Sequence, residues 1–235
     1  MACAEYFLNW DSDRLNHLQV LAPYEGKDKL KQWVYGNIRN LPDSDDVYRD
    51  FVVTGPKMKI CYGGCNWNRI VFAMNGAANP PVYHFEQWLR QLSERVKASI
   101  WSDPAKYKNG ATTNSRFVFD DDYIRPASDP AMYPDELRCR LSVKRIPSED
   151  GSGYKELPDA DLFIRKEDGD FPVQDLTEIR SGWYMIPVLK FSYYRNGERF
   201  GLVITVLRGM LFPTEISRID NKDWQMDYPT DMMYN

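Results

Sequence analysis

Trp183-Tyr184-Met185-Ile186-Pro187-Val188-Leu189-Lys190-Phe191-Ser192-Tyr193-Tyr194, then Arg195-Asn196-Gly197-Glu198, then Arg199-Phe200-Gly201-Leu202-Val203-Ile204-Thr205-Val206-Leu207, continuing to Phe212, is the longest β signal in the 235-residue chain. Asn-Gly between two β-rich runs predicts a hairpin, because both central residues of a type I′ turn need positive φ. The second arm places Phe200, Leu202, Ile204 and Val206 on one side and Gly201, Val203, Thr205 and Leu207 on the other. Both sides are rather apolar, which predicts a central strand with neighbours on each edge. Pro187 in the first arm removes a backbone donor and predicts a bulge or an edge position there.

Working outward, Leu137, Cys139, Leu141 and Val143 alternate with Arg138, Arg140, Ser142 and Lys144. That period of two predicts a strand from Leu137 to Lys144 with one apolar and one cationic face. Lys57 to Tyr62 and Arg69 to Met74 read as a second hairpin interrupted by Gly63-Gly64. A shorter strand, Ala160 to Arg165, leads into a turn at Glu167-Asp168-Gly169, and Leu176 to Arg180 suits a single helical turn. Val82, Phe85, Leu89, Leu92, Val96 and Ile100 recur every three or four residues, the stripe of one long amphipathic helix, with Pro104 just past its end. The first 55 residues read as an N-terminal extension with short helical spacing over Asp13 to Leu21 and Lys27 to Tyr35. The predicted organisation is an extension over 1–55, a β domain with helix over 56–213 and an acidic tail over 214–235.

The chain carries 30 Lys+Arg and 34 Asp+Glu, a formal net charge of −4, which counts against a duplex binder taken as a whole. Resolved along the chain, the sign changes. Lys57 to Phe119 holds nine basic residues against three acidic, and Arg138 to Arg145 holds four and none. The acids collect over Asp43 to Asp50, Asp120-Asp121-Asp122, Glu156 to Asp175 and the tail from Asp220. No apolar stretch is long enough to span a bilayer, and Met1 to Glu5 does not open a secretory signal. With four cysteines in a chain of this size, free thiols and an intracellular, unsecreted location are expected.

Catalytic chemistry has little material here. Two histidines, His17 and His84, leave few metal or nucleophile-base arrangements, and Cys61 with Cys65 lacks a second pair. Three consecutive aspartates alternate sides in an extended chain, so Asp120 to Asp122 do not converge on a cation without help. No catalytic residue, cofactor or metal is expected. Single-strand binding instead needs cations that track phosphates and flat rings on which bases stack. Lys57, Lys59, Trp67 and Arg69 surround the first hairpin, and Arg138, Arg140 and Lys144 share one predicted strand face. Trp183, Lys190, Tyr193, Tyr194, Arg195 and Arg199 crowd the last hairpin. The competing account of each aromatic is core or cross-strand packing. Three cations on one strand face repel each other unless an acid from elsewhere in the chain, or a nucleic acid, lies over them.

Four segments, Phe85-Glu86-Gln87-Trp88-Leu89-Arg90, Tyr123-Ile124-Arg125-Pro126, Tyr133-Pro134-Asp135-Glu136-Leu137-Arg138-Cys139-Arg140-Leu141 and Tyr193-Tyr194-Arg195-Asn196-Gly197-Glu198-Arg199-Phe200-Gly201-Leu202, occur in an order that resembles the single-stranded-DNA-binding OB-fold proteins of large nucleocytoplasmic DNA viruses. The resemblance covers Phe85 to Pro213, 129 of 235 residues. Tyr194 stands where that family tends to place Trp before the final turn. The resemblance implies a mainly β (α+β) protein, an OB-like Greek-key barrel that binds single strands without catalysis, in viral DNA replication or repair. A replication partner for the acidic tail is a further expectation, and the rival is a virion or assembly protein whose aromatic strands make protein contacts.

Overall fold

In the computed structural model, residues 4–23, 33–40, 49–62, 68–74, 79–107, 117–147 and 153–213 are described. Five strands close on themselves: β1 (Met58–Tyr62), β2 (Arg69–Met74), β3 (Asp135–Leu141), β4 (Tyr184–Asn196) and β5 (Arg199–Phe212). β1 pairs antiparallel with β2, β2 with β3, β5 with β4, and β4 with β1, while β3 and β5 run parallel. The order β1-β2-β3-β5-β4-β1 is a five-stranded Greek-key barrel of the OB type, and the protein is mainly β.

The long hairpin forms as the alternation predicts, with one change at its tip. Asn196 pairs with Arg199, so the two-residue loop is Gly197-Glu198 rather than Asn196-Gly197. Only Gly197, at φ 60°, takes the left-handed conformation there, the pattern of a type II′ turn. A register shift at Val188/Leu189 leaves Leu207 as the extra residue on β5. Before it, Phe200, Leu202, Ile204 and Val206 point inward; after it, Leu211 does, while Met210 and Phe212 turn out and join Ile186 in a small separate apolar cluster with Phe163 and Tyr184. Pro187 lies one residue before this bulge, and its carbonyl accepts from the Gly55 N–H at 2.9 Å.

One helix, α1 (Pro80–Ser102), connects β2 toward β3 and buries Val82, Phe85, Leu89, Leu92, Val96 and Ile100 as its spacing requires. Trp88 joins that stripe, donating from its indole N–H to the Trp10 carbonyl at 2.9 Å and packing against Phe191 at 5.5 Å between ring centroids.

The first 55 residues, expected as an extension, continue the barrel's sheet and core wherever they are described. Trp33–Asn40 and Val52–Thr54 both pair with β4, and Phe7, Trp10, Leu15, Ile38, Phe51 and Val53 belong to the same buried cluster as the barrel. The helical spacing over Lys27 to Tyr35 is overridden at Trp33 to Tyr35, which are strand, because pairing against β4 supplies the backbone partners. Leu137 to Lys144 is likewise not one strand. β3 ends at Leu141, and Val143–Pro147 pairs with Tyr154–Pro158 in a separate two-stranded sheet. The predicted short strand is Asp161–Lys166, which pairs parallel with β5 and antiparallel with Gly169–Pro172, and a 3-10 turn spans Leu176–Glu178.

Candidate nucleic-acid interface

Inward positions on the barrel strands fix which side chains line its outer wall. Ile70 and Phe72 on β2, Leu137, Cys139 and Leu141 on β3, and Phe191 and Tyr193 on β4 are buried in the core. Alternation therefore turns Arg69, Arg138, Arg140, Lys190, Ser192 and Tyr194 outward. The pairing register then joins four of the outward residues from different strands. Arg69 is opposite Arg140, Arg140 is opposite Thr205, and Thr205 is opposite Lys190, one lateral row across β2, β3, β5 and β4.

Three cations of the predicted set pair with an acid of the protein, and two more are engaged by a carbonyl or by aromatic rings. Arg138 meets Glu136, two residues away on the same strand face, at 3.5 Å; Lys190 meets Asp50 at 2.6 Å; and Arg199 meets Asp120 through two hydrogen bonds of 2.7 and 3.0 Å. Arg195 donates to the Tyr107 carbonyl at 2.9 Å. Lys57 lies over the rings of Phe212 at 4.4 Å and Tyr184 at 5.7 Å. Lys144 is exposed on the separate hairpin and no longer shares a strand with Arg138 and Arg140.

Arg69 and Arg140 differ from these. Both are exposed and directly opposed across β2 and β3, and neither meets an acid within ion-pair distance among the described residues. Like charges directly opposite each other across two strands are destabilising. Together with Asn68, Leu141, Ser142, Val143, Asp159 and Thr205 they line an open cleft of ≈ 510 Å³ where the parallel strands β3 and β5 part. Asn68, at φ 52°, turns the chain into β2, and its carbonyl accepts from the Leu141 N–H at 2.8 Å, which holds the two arginine-bearing strands in register. Lys59, exposed on β1, is a third cation without an acid partner among the described residues.

The aromatics of the last hairpin are largely structural. Tyr193, expected as a stacking platform, is fully buried, its hydroxyl donating to the Leu21 carbonyl and its ring lying under Gly36. Burial pushes its phenol well above the ordinary tyrosine range. Tyr194 lies over Gly201 and donates to Asp120 at 2.7 Å; burial and that carboxylate raise its phenol too. Trp183 is half-buried against the core, and Trp67 lies outside the described residues. Burial alone would raise the Asp120 carboxyl, but hydrogen bonds from Arg199 and Tyr194 outweigh it and hold the group below the usual carboxylate range. Asp121 is also engaged, accepting from Ser93 at 3.2 Å and Lys97 at 3.1 Å, so two of the three aspartates serve the fold. Cys139 is a free thiol in the core, raised far above its normal pKa by burial, and Cys61 is free and half-buried.

Sequence reasoning missed Tyr35, which sits on Trp33–Asn40, opposite Tyr194. It is 40% exposed, accepts a 2.6 Å hydrogen bond from the Arg140 guanidinium, and has that guanidinium 4.7 Å from its ring centroid. No signal near Tyr35 announces this, because Arg140 is 105 residues away in sequence.

No protein-family model matches the chain, and no curated protein sequence matches it. Among solved structures it is similar to gp2.5, a single-stranded DNA-binding protein encoded by bacteriophage T7, with a TM-score of 0.41 and 10% identity over 76% of this chain and 97% of that one. It is also similar to the single-stranded DNA-binding protein from bacteriophage Enc34, with a TM-score of 0.41 and 11% identity over 92% of this chain and 99% of that one. A structure of the Enc34 protein in complex with single-stranded DNA aligns at a TM-score of 0.36 and 13% identity, covering 81% and 93%.

Proposed function

We propose that this protein binds single-stranded DNA without strict sequence preference, in viral DNA replication or repair, with its arginine row on phosphates and exposed rings on bases. The observation that carries the reading is the opposed pair Arg69 and Arg140, exposed on the second and third strands of an OB-type barrel and without an acid within ion-pair distance among the described residues. That strand face is where OB folds bind oligonucleotides. Lys59 and Lys144, both exposed, extend the positive wall, and Asp159 is the acid lining the cleft. The role is one of binding rather than catalysis. The viral lineage of the sequence resemblance belongs to this reading, as does a replication partner for the acidic segment after Ile219, which lies outside the described residues.

Fluorescence anisotropy of a labelled oligothymidylate, titrated at several salt concentrations, tests it. Binding should weaken linearly on a log–log plot as salt rises. Changing Arg69 and Arg140 together to Ser should lower that slope by about 1.4, since each phosphate contact on a single strand contributes about 0.7. No binding at low salt overturns the reading, and stable co-assembly with a capsid or scaffold protein in its place supports the structural rival.

A further inference from the structure

Tyr35 is held on the outer wall by its neighbour. A Cβ at Gly36 would lie 2.1 Å from the Tyr193 ring, so only glycine lets Trp33–Asn40 cross β4 at this height. With Gly36 pressed onto Tyr193, alternation sends Tyr35 to the opposite, solvent side. Its row runs Tyr35, Tyr194, Gly201; the next holds Asn37, Ser192 and Val203; the one after holds Lys190, Thr205, Arg140 and Arg69. The Tyr35 and Arg140 side chains meet across β4 and β5, with the tyrosine ring still 40% exposed. Tyr193 is buried, Tyr194 is tied to Asp120 and Trp183 is packed on the core, which leaves Tyr35 as the exposed ring in contact with an arginine that lacks an acid partner among the described residues.

We propose that Tyr35 is a base-stacking residue of this face, its hydroxyl holding the Arg140 guanidinium against the ring until a DNA phosphate takes that guanidinium over. The inference rests on the single-strand reading above and adds a residue and an exchange to it. A base stacked on the open part of the ring would place its own phosphate toward the Arg140–Arg69 pair. The guanidinium would then change acceptors, from a neutral hydroxyl to an anionic oxygen, which is the stronger partner.

The full-length protein and its Tyr35→Ala and Tyr35→Phe variants are titrated with labelled oligothymidylate, and an oligonucleotide carrying 5-iodouracil is photocrosslinked and its adduct mapped by mass spectrometry. Tyr35→Ala should lose about 5- to 150-fold in affinity, the span of one stacked base. Tyr35→Phe should bind within about threefold of the unmodified protein, because it keeps the ring and frees Arg140. The crosslink should fall on the peptide containing Tyr35. Full binding by Tyr35→Ala while Arg69→Ser/Arg140→Ser is weakened overturns this inference and leaves the single-strand reading standing. Equal losses in Tyr35→Phe and Tyr35→Ala overturn it as well, since the hydroxyl rather than the ring would then be what matters. Absence of binding by the unmodified protein removes both.

Discussion

The tip of the long hairpin and the opposed arginines of β2 and β3 look equivalent in sequence: each has cations close to tyrosines within β-rich runs. In the fold they are opposites. At the tip, Tyr193, Tyr194, Arg195 and Arg199 all spend their polar groups on Leu21, Asp120 and Tyr107, so the cluster fastens the N-terminal segment and the Val118–Asp120 strand to the barrel. At Arg69 and Arg140 the cations face each other, and a tyrosine hydroxyl supplies the one hydrogen bond to them among the described residues. Composition does not separate a cluster that has satisfied itself from one that still needs an anion. A tally of acceptors within reach does.

The contrast is sharpened by variants that should act on stability at the tip and on binding at the row. Tyr193→Ala should have the largest effect, about 3–5 kcal/mol lost in urea denaturation, as expected for removing a large buried aromatic. Its folded fraction should still bind oligonucleotide; a selective loss of binding with stability intact would break the contrast. Gly36→Ala should come next, at about 1–3 kcal/mol, because the added methyl collides with the Tyr193 ring.

Asp120→Asn should act mainly through pH. The folded carboxyl lies below its unfolded value, so the stabilisation is present above the unfolded pKa of about 3.9 and fades as pH falls through the lower folded value. Thermal melts from neutral to acidic pH should show the unmodified protein losing this contribution and Asp120→Asn lacking it throughout; parallel pH curves for the two proteins would remove Asp120 as the fastening of the tip. The smallest effect belongs to Lys190→Ala. Its pair with Asp50 is partly exposed and should be worth about 0.2–1 kcal/mol by chemical denaturation.

How far the sequence could be read differs in the same way between these regions. The long hairpin, the first hairpin and α1 were all legible, because their apolar spacing repeats at the period of the element. The OB topology was reached through a resemblance in element order, and the pairing of β3 with β5 is what bears it out. Arg69 and Arg140 were in the predicted set, but so were Arg138, Lys190 and Arg199, and nothing in the chain distinguished them. Their acids lie at Glu136, Asp50 and Asp120, and for the last two the separations are 140 and 79 residues. The break at Ser142 is hidden because alternation continues through it into a different sheet, and strand aromatics such as Tyr193 look alike in sequence until a face is assigned.

By itself, the sequence determined the long hairpin, the first hairpin, α1 and the sign of the charge along each of their segments, since these depend on neighbours two to four residues away. Only the tertiary structure decided which cations are quenched and which ring lies against an arginine, because those are relations between strands brought together by barrel closure. Arg69 and Arg140 become a pair through the β2–β3 register, and Tyr35 joins them because Gly36 has no side chain to hold it off Tyr193.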